Sequence, residues 1–262
     1  MKYDIRTKES AEEFIKEFLE IDNKQLEDIL EKYEKDEDFF EKNYISKIES
    51  RDINELKIYG YHVTTNPDKC KSIKSEGIKN LQEVLKGKNE FTNLLLEQQI
   101  RFDIDNSKMF YKDEVIDINY NKILKEKIMT RSKSVARKIY FDYCVNGFFS
   151  GGDRYIRETE IFLYPEVLKN IEECIEKNLT EFKDKWKKIC KTYRITFKVD
   201  IVQINCIDTF YFDETSPQNI KINMIKKAIS RINNEKYEDY IYLKNHEQIY
   251  NNQIICIEIV DR

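Results

Sequence analysis

Gly60-Tyr61-His62-Val63-Thr64-Thr65-Asn66-Pro67, continued by Ser72-Ile73 and Glu76-Gly77-Ile78, is the stretch on which the fold turns. The run from Leu56 to Val63 is rich in β-branched and aromatic residues (Ile58, Tyr59, Tyr61, Val63), as a partly buried strand requires. The strand is expected to stop near Thr64. Asn66 then suits an N-cap, Pro67 the first helical position, and Gly77 the left-handed residue that closes a short helix. Side chains alternate along a strand, so His62 and Thr64 share a face, where imidazole and hydroxyl can grip one polyol such as ribose. The second histidine, His246, lies in the polar turn Lys244-Asn245-His246-Glu247 and reads as a surface residue.

A second constellation runs from Phe148 to Tyr164: Phe-Phe-Ser-Gly-Gly-Asp-Arg-Tyr-Ile-Arg-Glu-Thr-Glu-Ile-Phe-Leu-Tyr. It reads as a glycine-containing loop entering a strand whose mouth carries Glu158 and Glu160 on one face. A loop of this kind adapts to a substrate, and a sheet holds a carboxylate at its mouth rigidly.

Tyr61, His62, Thr64, Ser72, Ile73, Gly77 and Ile78 together resemble the first motif of the ADP-ribosyltransferase superfamily, in the branch that opens with a histidine, a spacer and a threonine or serine. The loop ending in Glu158-Thr159-Glu160 is similar to that superfamily's Glu-x-Glu element. The resemblance covers residues 57 to 165 and implies an α+β fold with a split antiparallel β core and flanking helices. It implies NAD as substrate, bound by Tyr61, His62, Thr64 and Gly77, with an aromatic against nicotinamide. Tyr111, Tyr120, Tyr140 and Tyr143 all qualify for that aromatic, Tyr120 and Tyr143 being the preferred pair. Glu160 is implied as the catalytic carboxylate that stabilises the charge developing as nicotinamide leaves, with Glu158 orienting or deprotonating the acceptor and His62 holding ribose. Glu166 is a rival if the strand register is displaced. The loop residues Ser150, Asp153 and Arg154 would face the acceptor, and Arg101 is a further phosphate or ribose contact. Unlike the better-known family patterns, this chain has no glycine between His62 and Thr64 and no Ser-Thr-Ser strand.

The resemblance further implies a macromolecular acceptor, protein or nucleic acid, and a role as a toxin or in antiviral defence, with an antitoxin or regulatory partner. Two competing readings stand beside it. One is an NAD-using RNA 2′-phosphotransferase; the other is a non-catalytic module binding nucleic acid or a partner.

Composition bounds these readings. The chain has 262 residues, 40% hydrophobic and 13% aromatic, enough to fold. Heavy use of Lys, Ile, Asn, Glu and Tyr points to an AT-rich coding source, which weakens any argument from lysine runs. Residues 1 to 56 carry 10 Lys and Arg against 18 Asp and Glu, a net of −8, and the remainder a net of +4. Cys70, Cys144, Cys174, Cys190, Cys206 and Cys256 show no CxxC spacing, so they read as reduced thiols in the cytoplasm and no metal site is expected. The start MKYDIRTKES lacks an apolar signal core, and no apolar run reaches membrane-span length, which predicts a soluble chain with no membrane partner. Phosphate-loop, GxGxxG, GxSxG and HExxH patterns are absent.

Along the chain, residues 1–55 read as a helical hairpin with Ser10 and Glu13 as capping box, and 56–262 as the α+β domain. Ile100–Ile104 and Met109–Ile118 suit a β-hairpin, Asn121–Asn146 one helix with a basic face, and Val167–Lys191 a helix anchored by Trp186. Tyr193–Ile204 and Ile207–Phe212 are expected strands, Pro217–Asn234 a helix, and Ile254–Val260 a closing strand. The lysines around Phe182, Trp186 and Tyr193 are the basic-aromatic mixture that binds single-stranded nucleic acid, a pattern shared by any amphipathic helix.

Overall fold

A computed structural model describes residues 1–33, 35–36, 39–126, 130–150, 160–210, 217–234 and 240–260. In chain order the first elements are β1 (Lys2–Tyr3), α1 (Lys8–Leu19), α2 (Asn23–Tyr33), α3 (Phe39–Ser50), β2 (Lys57–Asn66), α4 (Lys71–Glu76), α5 (Leu81–Lys86) and α6 (Glu90–Glu97). There follow β3 (Ile100–Asp103), β4 (Lys108–Tyr111), β5 (Glu114–Asp117), α7 (Tyr120–Glu126), α8 (Lys133–Tyr140) and β6 (Asn146–Phe148). The last third holds α9 (Val167–Ile175), α10 (Thr180–Ile189), β7 (Lys191–Asp200), α11 (Cys206–Phe210), α12 (Pro217–Ile232), β8 (Tyr240–Tyr242) and β9 (Ile254–Ile259). The protein is therefore mixed α+β, and its β6–β2, β6–β8 and β3–β4–β5 pairings are antiparallel.

The chain divides into two compact units, and neither coincides with a division after residue 55. The first comprises Met1–His62, Asn146–Gly151 and Thr196–Lys244; the second comprises Val63–Val145, Gly152–Ile195 and Asn245–Arg262. Each of the long strands β2 and β7 contributes its two halves to different units.

In the first unit, β8, β6, β2 and β7 lie side by side and β1 adds in parallel to β2. Helices α1 and α12 are the main partners packed on one another, and α1 buries Ala11, Phe14, Ile15, Phe18 and Leu19. The Tyr3 ring meets Phe14, Phe149 and Phe210 edge-on at 4.7, 5.4 and 5.8 Å. Its hydroxyl donates to the Met224 carbonyl, so a tyrosine serves the core without an unpaired polar atom. The N-terminal piece is three helices, not a hairpin. Its first cap is Thr7 with Ser10 as the reciprocal partner, one turn before the expected Ser10 and Glu13.

In the second unit, the small sheet β3–β4–β5 packs with α6, α8, α9 and α10 around Leu95, Ile100, Met109, Ile139, Leu168 and Phe182. Trp186 anchors α10 as expected: it is buried, Phe91 meets it at 5.7 Å, and its indole N–H donates to Thr65 Oγ1 at 2.9 Å. Three expected elements change here for local reasons. The helix expected over Asn121–Asn146 is α7 and α8, with β6 beginning at Asn146, because Thr130 and Ser132 offer their carbonyls to a fresh helical start at Lys133 and Ala136. The helix expected over Val167–Lys191 breaks after Ile175, where Glu176 turns left-handed and Glu172 accepts from the Leu179 N–H. In the first unit, the strand expected at Ile207–Phe212 is helix α11 up to Phe210, capped by the Asn205 side chain accepting from the Asp208 N–H.

Candidate active site

β2 runs two residues beyond the expected stop, to Asn66, and α4 starts only at Lys71. Asn66 Oδ1 accepts from the N–H groups of Asp68 and Cys70, which builds a turn where a helix was expected. Asp68 then takes the capping role, its carboxylate accepting from Lys71 and Ser72 at 2.9 and 3.0 Å. Pro67 is thus outside the helix.

His62 is the last residue of β2 that belongs to the first unit. Tyr61 pairs with Phe148 of the antiparallel neighbour β6, and His62 Nδ1 lies 2.7 Å from the Asn146 carbonyl oxygen. A carbonyl only accepts, so Nδ1 carries the proton and Nε2 keeps its lone pair. Among the described residues Nε2 has no hydrogen-bond partner, and no unsatisfied polar side-chain atom is buried, so Nε2 is open to an incoming group. Burial pushes the imidazole below its ordinary value of 6.5, against the opposing pull of the Asn146 carbonyl. His62 is accordingly a neutral hydrogen-bond acceptor at pH 7, a state suited to a hydroxyl and unsuited to a phosphate.

The neighbourhood of His62 is shaped by what is missing. A Cβ on Gly147 would stand 2.8 Å from Phe197 Cζ and 2.9 Å from the Tyr61 carbonyl oxygen, so the close packing of Phe197 on this sheet requires glycine. Gly60 is under the same ring. Ser150, half-buried, follows two residues after β6, so the entrance to the expected acceptor loop starts from the strand paired with that of His62.

Tyr61 points to the opposite face of β2 from His62. It stands in a row with Phe148 and Tyr240, set by the Tyr61–Phe148 and Phe148–Tyr240 registers. The Arg6 guanidinium lies 5.4 Å from the ring centroids of both Tyr59 and Tyr61, held in place by a two-pronged bond to Asp4 at 2.8 Å on each prong. Nothing in the sequence flagged Arg6 or the Asn146 carbonyl: one is distant in the chain, and the other is backbone.

The other expected residues lie in the second unit. Thr64 is half-buried, and its hydroxyl makes one weak contact, 3.4 Å to the Thr65 carbonyl. Gly77 has a φ of 87°, and a Cβ there would overlap the Ile249 carbonyl oxygen, which accepts from Ile78 N–H at 2.7 Å. Its role in the structure is this backbone approach. Tyr120 rests on Phe141, Tyr140 donates to the Ile104 carbonyl at 2.8 Å, and the Tyr143 hydroxyl lies 3.4 Å from Nδ1 of the exposed His246. Tyr111 packs against the second core, and exposed Arg101 stacks on Phe110 at 3.8 Å.

Glu160 is not at a strand mouth. It opens a 3-10 turn, Glu160–Phe162, and is exposed. The Tyr164 ring is buried with its hydroxyl near the Glu160 carboxylate; burial first, and then Glu160, push the phenol up to about 12. The strand expectation fails because Phe162 and Tyr164 turn into the core while the Leu163 and Tyr164 N–H groups bond back to the Glu160 carbonyl. Glu166 bonds Lys138 at 2.8 Å. Glu158, Asp153 and Arg154 lie outside the described residues.

All six cysteines are free, and burial pushes the Cys70 thiol up to about 12 and Cys174 to about 11, which removes both as nucleophiles at neutral pH. Among the described residues no group of three or more His, Cys, Asp and Glu is placed to hold a metal ion, and no helix is long and apolar enough to cross a membrane. No protein-family model matches the chain, and neither does any curated protein or solved structure.

Proposed function

We propose that the protein is an NAD-consuming ADP-ribosyltransferase with a macromolecular acceptor, protein or nucleic acid. The observation that carries the reading is His62: a neutral imidazole on a sheet strand, fixed through Nδ1, with an open lone pair at Nε2. That atom accepts a hydrogen bond from a ribose hydroxyl. Supporting it, the first part of the second constellation, Phe148 to Ser150, starts from the strand paired with that of His62.

In the proposed reaction the bond between ribose C1′ and the nicotinamide nitrogen breaks, and its electron pair leaves with nicotinamide. Positive charge spreads over C1′ and the ring oxygen. A carboxylate, the role that the resemblance gives to Glu160, stabilises that charge. An oxygen or nitrogen of the acceptor then bonds to C1′ and releases its proton to solvent or to a second carboxylate.

The test is incubation of the protein with labelled NAD in the presence of cell lysate or nucleic acid, alongside His62→Ala and Glu160→Gln. Nicotinamide release and label transfer that collapse in both variants are the expected result. If RNA bearing a 2′-phosphate alone drives NAD consumption, the chain is a phosphotransferase. Salt-sensitive nucleic-acid binding unaffected by both substitutions, with no NAD turnover under any condition, would overturn the enzymatic reading.

A further inference from the structure

In the second unit β9 pairs with the N-terminal half of β7. Val260 N–H donates to the Thr192 carbonyl at 3.0 Å, and Glu258 meets Arg194 at 3.1 Å, so the two strands run antiparallel. Backbone groups alternate in direction along a strand, so the even-numbered residues of β9 address β7. The N–H and C=O groups of Ile255, Ile257 and Ile259 therefore point to the other edge, where the strand order ends among the described residues. The same three side chains share one face. Ile255 is 49% and Ile259 58% exposed, far more than an isoleucine needs to be in a protein with room to bury it.

Edge strands are ordinarily blunted by lysine, proline or a bulge. Ile254-Ile255-Cys256-Ile257-Glu258-Ile259 has none of the first two, and its one charge is already neutralised by Arg194. A row of open backbone groups and a row of β-branched side chains on the same residues, exposed at Ile255 and Ile259 and half-buried at Ile257, are the two halves of one docking surface.

We propose that β9 pairs with β9 of a second copy of this chain, antiparallel about a two-fold axis at Ile257. That register sets Ile257 against its own counterpart and Ile255 against Ile259 of the other copy, so each open N–H meets an open C=O. All the isoleucines of the row then lie on one face of the joined sheet. On the other face Cys256 stands opposite Glu258 and Ile254 opposite Val260, with no like charges apposed. The contact is self-complementary, as a two-fold interface must be. Cys256, exposed in the single chain, comes diagonally across from its counterpart, about 7–8 Å away by ordinary antiparallel spacing.

The experiment combines light scattering after size exclusion, from low to high protein concentration, with hydrogen exchange of the β9 amides on the same samples. A two-copy mass, with Ile255, Ile257 and Ile259 amides gaining protection as the dimer forms, is expected. A short bismaleimide should join two copies through Cys256, and Cys256→Ser should abolish the adduct. Ile259→Lys, whose side chain is already largely in solvent, should return the protein to one copy without loss of its helical signal. A single-copy mass throughout overturns the proposal, and so does a dimer whose β9 amides exchange as fast as in the monomer. Both readouts are made on the unaltered chain, so a misfolded variant leaves the test intact, and neither depends on NAD.

Discussion

His62 and Glu160 are the two residues on which the catalytic reading rests, and the fold treats them in opposite ways. His62 lies within a ten-residue strand, with its ring nitrogen fixed by the backbone of the next strand. Glu160 is exposed on a 3-10 turn, where among the described residues the Tyr164 phenol is its neighbour. A sheet-held imidazole needs no reorganisation to accept a hydroxyl, whereas a carboxylate on a turn must be aimed each time. The pair teaches that residues singled out by similar short patterns can differ in how far the fold prepares them.

The sharpest way to break the comparison is Glu160→Gln. If the turn carboxylate stabilises the transition state, kcat falls on the order of a thousandfold while NAD affinity changes little. Unchanged kcat with intact His62-dependent turnover would move the role to another carboxylate. Next in size is Gly147→Ala, which tests the support of His62 rather than the imidazole itself. The added Cβ meets the buried Phe197 ring at 2.8 Å, and overpacking at such a site costs about 2–3 kcal/mol. Chemical denaturation should show the loss of stability; wild-type stability would mean that the Phe197 ring relaxes freely.

On the proposed function, His62→Ala removes one acceptor of a substrate hydroxyl. Its expected effect is on the order of thirtyfold in kcat/KM, about 2 kcal/mol. A smaller and graded version of the same loss comes from acid. The folded protein holds His62 below 6.5 by burial, while the unfolded chain protonates near 6.5. The unfolded state thus binds the proton first, so the contribution of this residue to stability is complete above pH 6.5 and declines as pH falls toward its folded value. Protonated Nε2 is a donor and no longer accepts from a hydroxyl, so kcat/KM should stay level down to 6.5 and fall only below it. A fall centred above 6.5 would show that the imidazole is not held neutral in the way described.

What was legible in the sequence divides along the same line. The β2 strand, the anchor at Trp186, helix α12 and strand β9 all follow from periodicity and from residues with a single strong preference, whereas Gly77 ends α4 as expected but at φ 87° and ψ −170°, outside the left-handed helical region expected for it. The places where reading failed are those where a side chain cap competes with a weak pattern. Asn66 and Asp68 delay α4, Asn205 starts a helix over a β-branched stretch, and Glu172 splits one helix into two. The partner of His62 was illegible for a different reason: a backbone carbonyl 84 positions away leaves no mark on sequence. Glu160 was misread because alternation in Glu160–Tyr164 suits a strand and a turn equally when Phe162 and Tyr164 are both buried.

The smallest effect separates anchoring from chemistry at Glu160. Tyr164 is 6% exposed, and its ring also receives Lys183 and Lys187 at 4.8 and 5.7 Å, so Tyr164→Phe keeps the packing and the cation contacts and deletes one hydroxyl. The buried phenol cannot lose its proton at neutral pH, and its one service to Glu160 is to hold the carboxylate in place. If the turn needs that hold, kcat drops about threefold with a loss of stability of about 1 kcal/mol at most, since Glu160 is exposed and water takes the place of the phenol on its carboxylate. An unchanged kcat in this variant, set beside a large loss in Glu160→Gln, would mean that bound substrate aims the carboxylate by itself. In that case the contrast with the pre-set His62 is one of timing, the imidazole ready before NAD arrives and the carboxylate ordered by it.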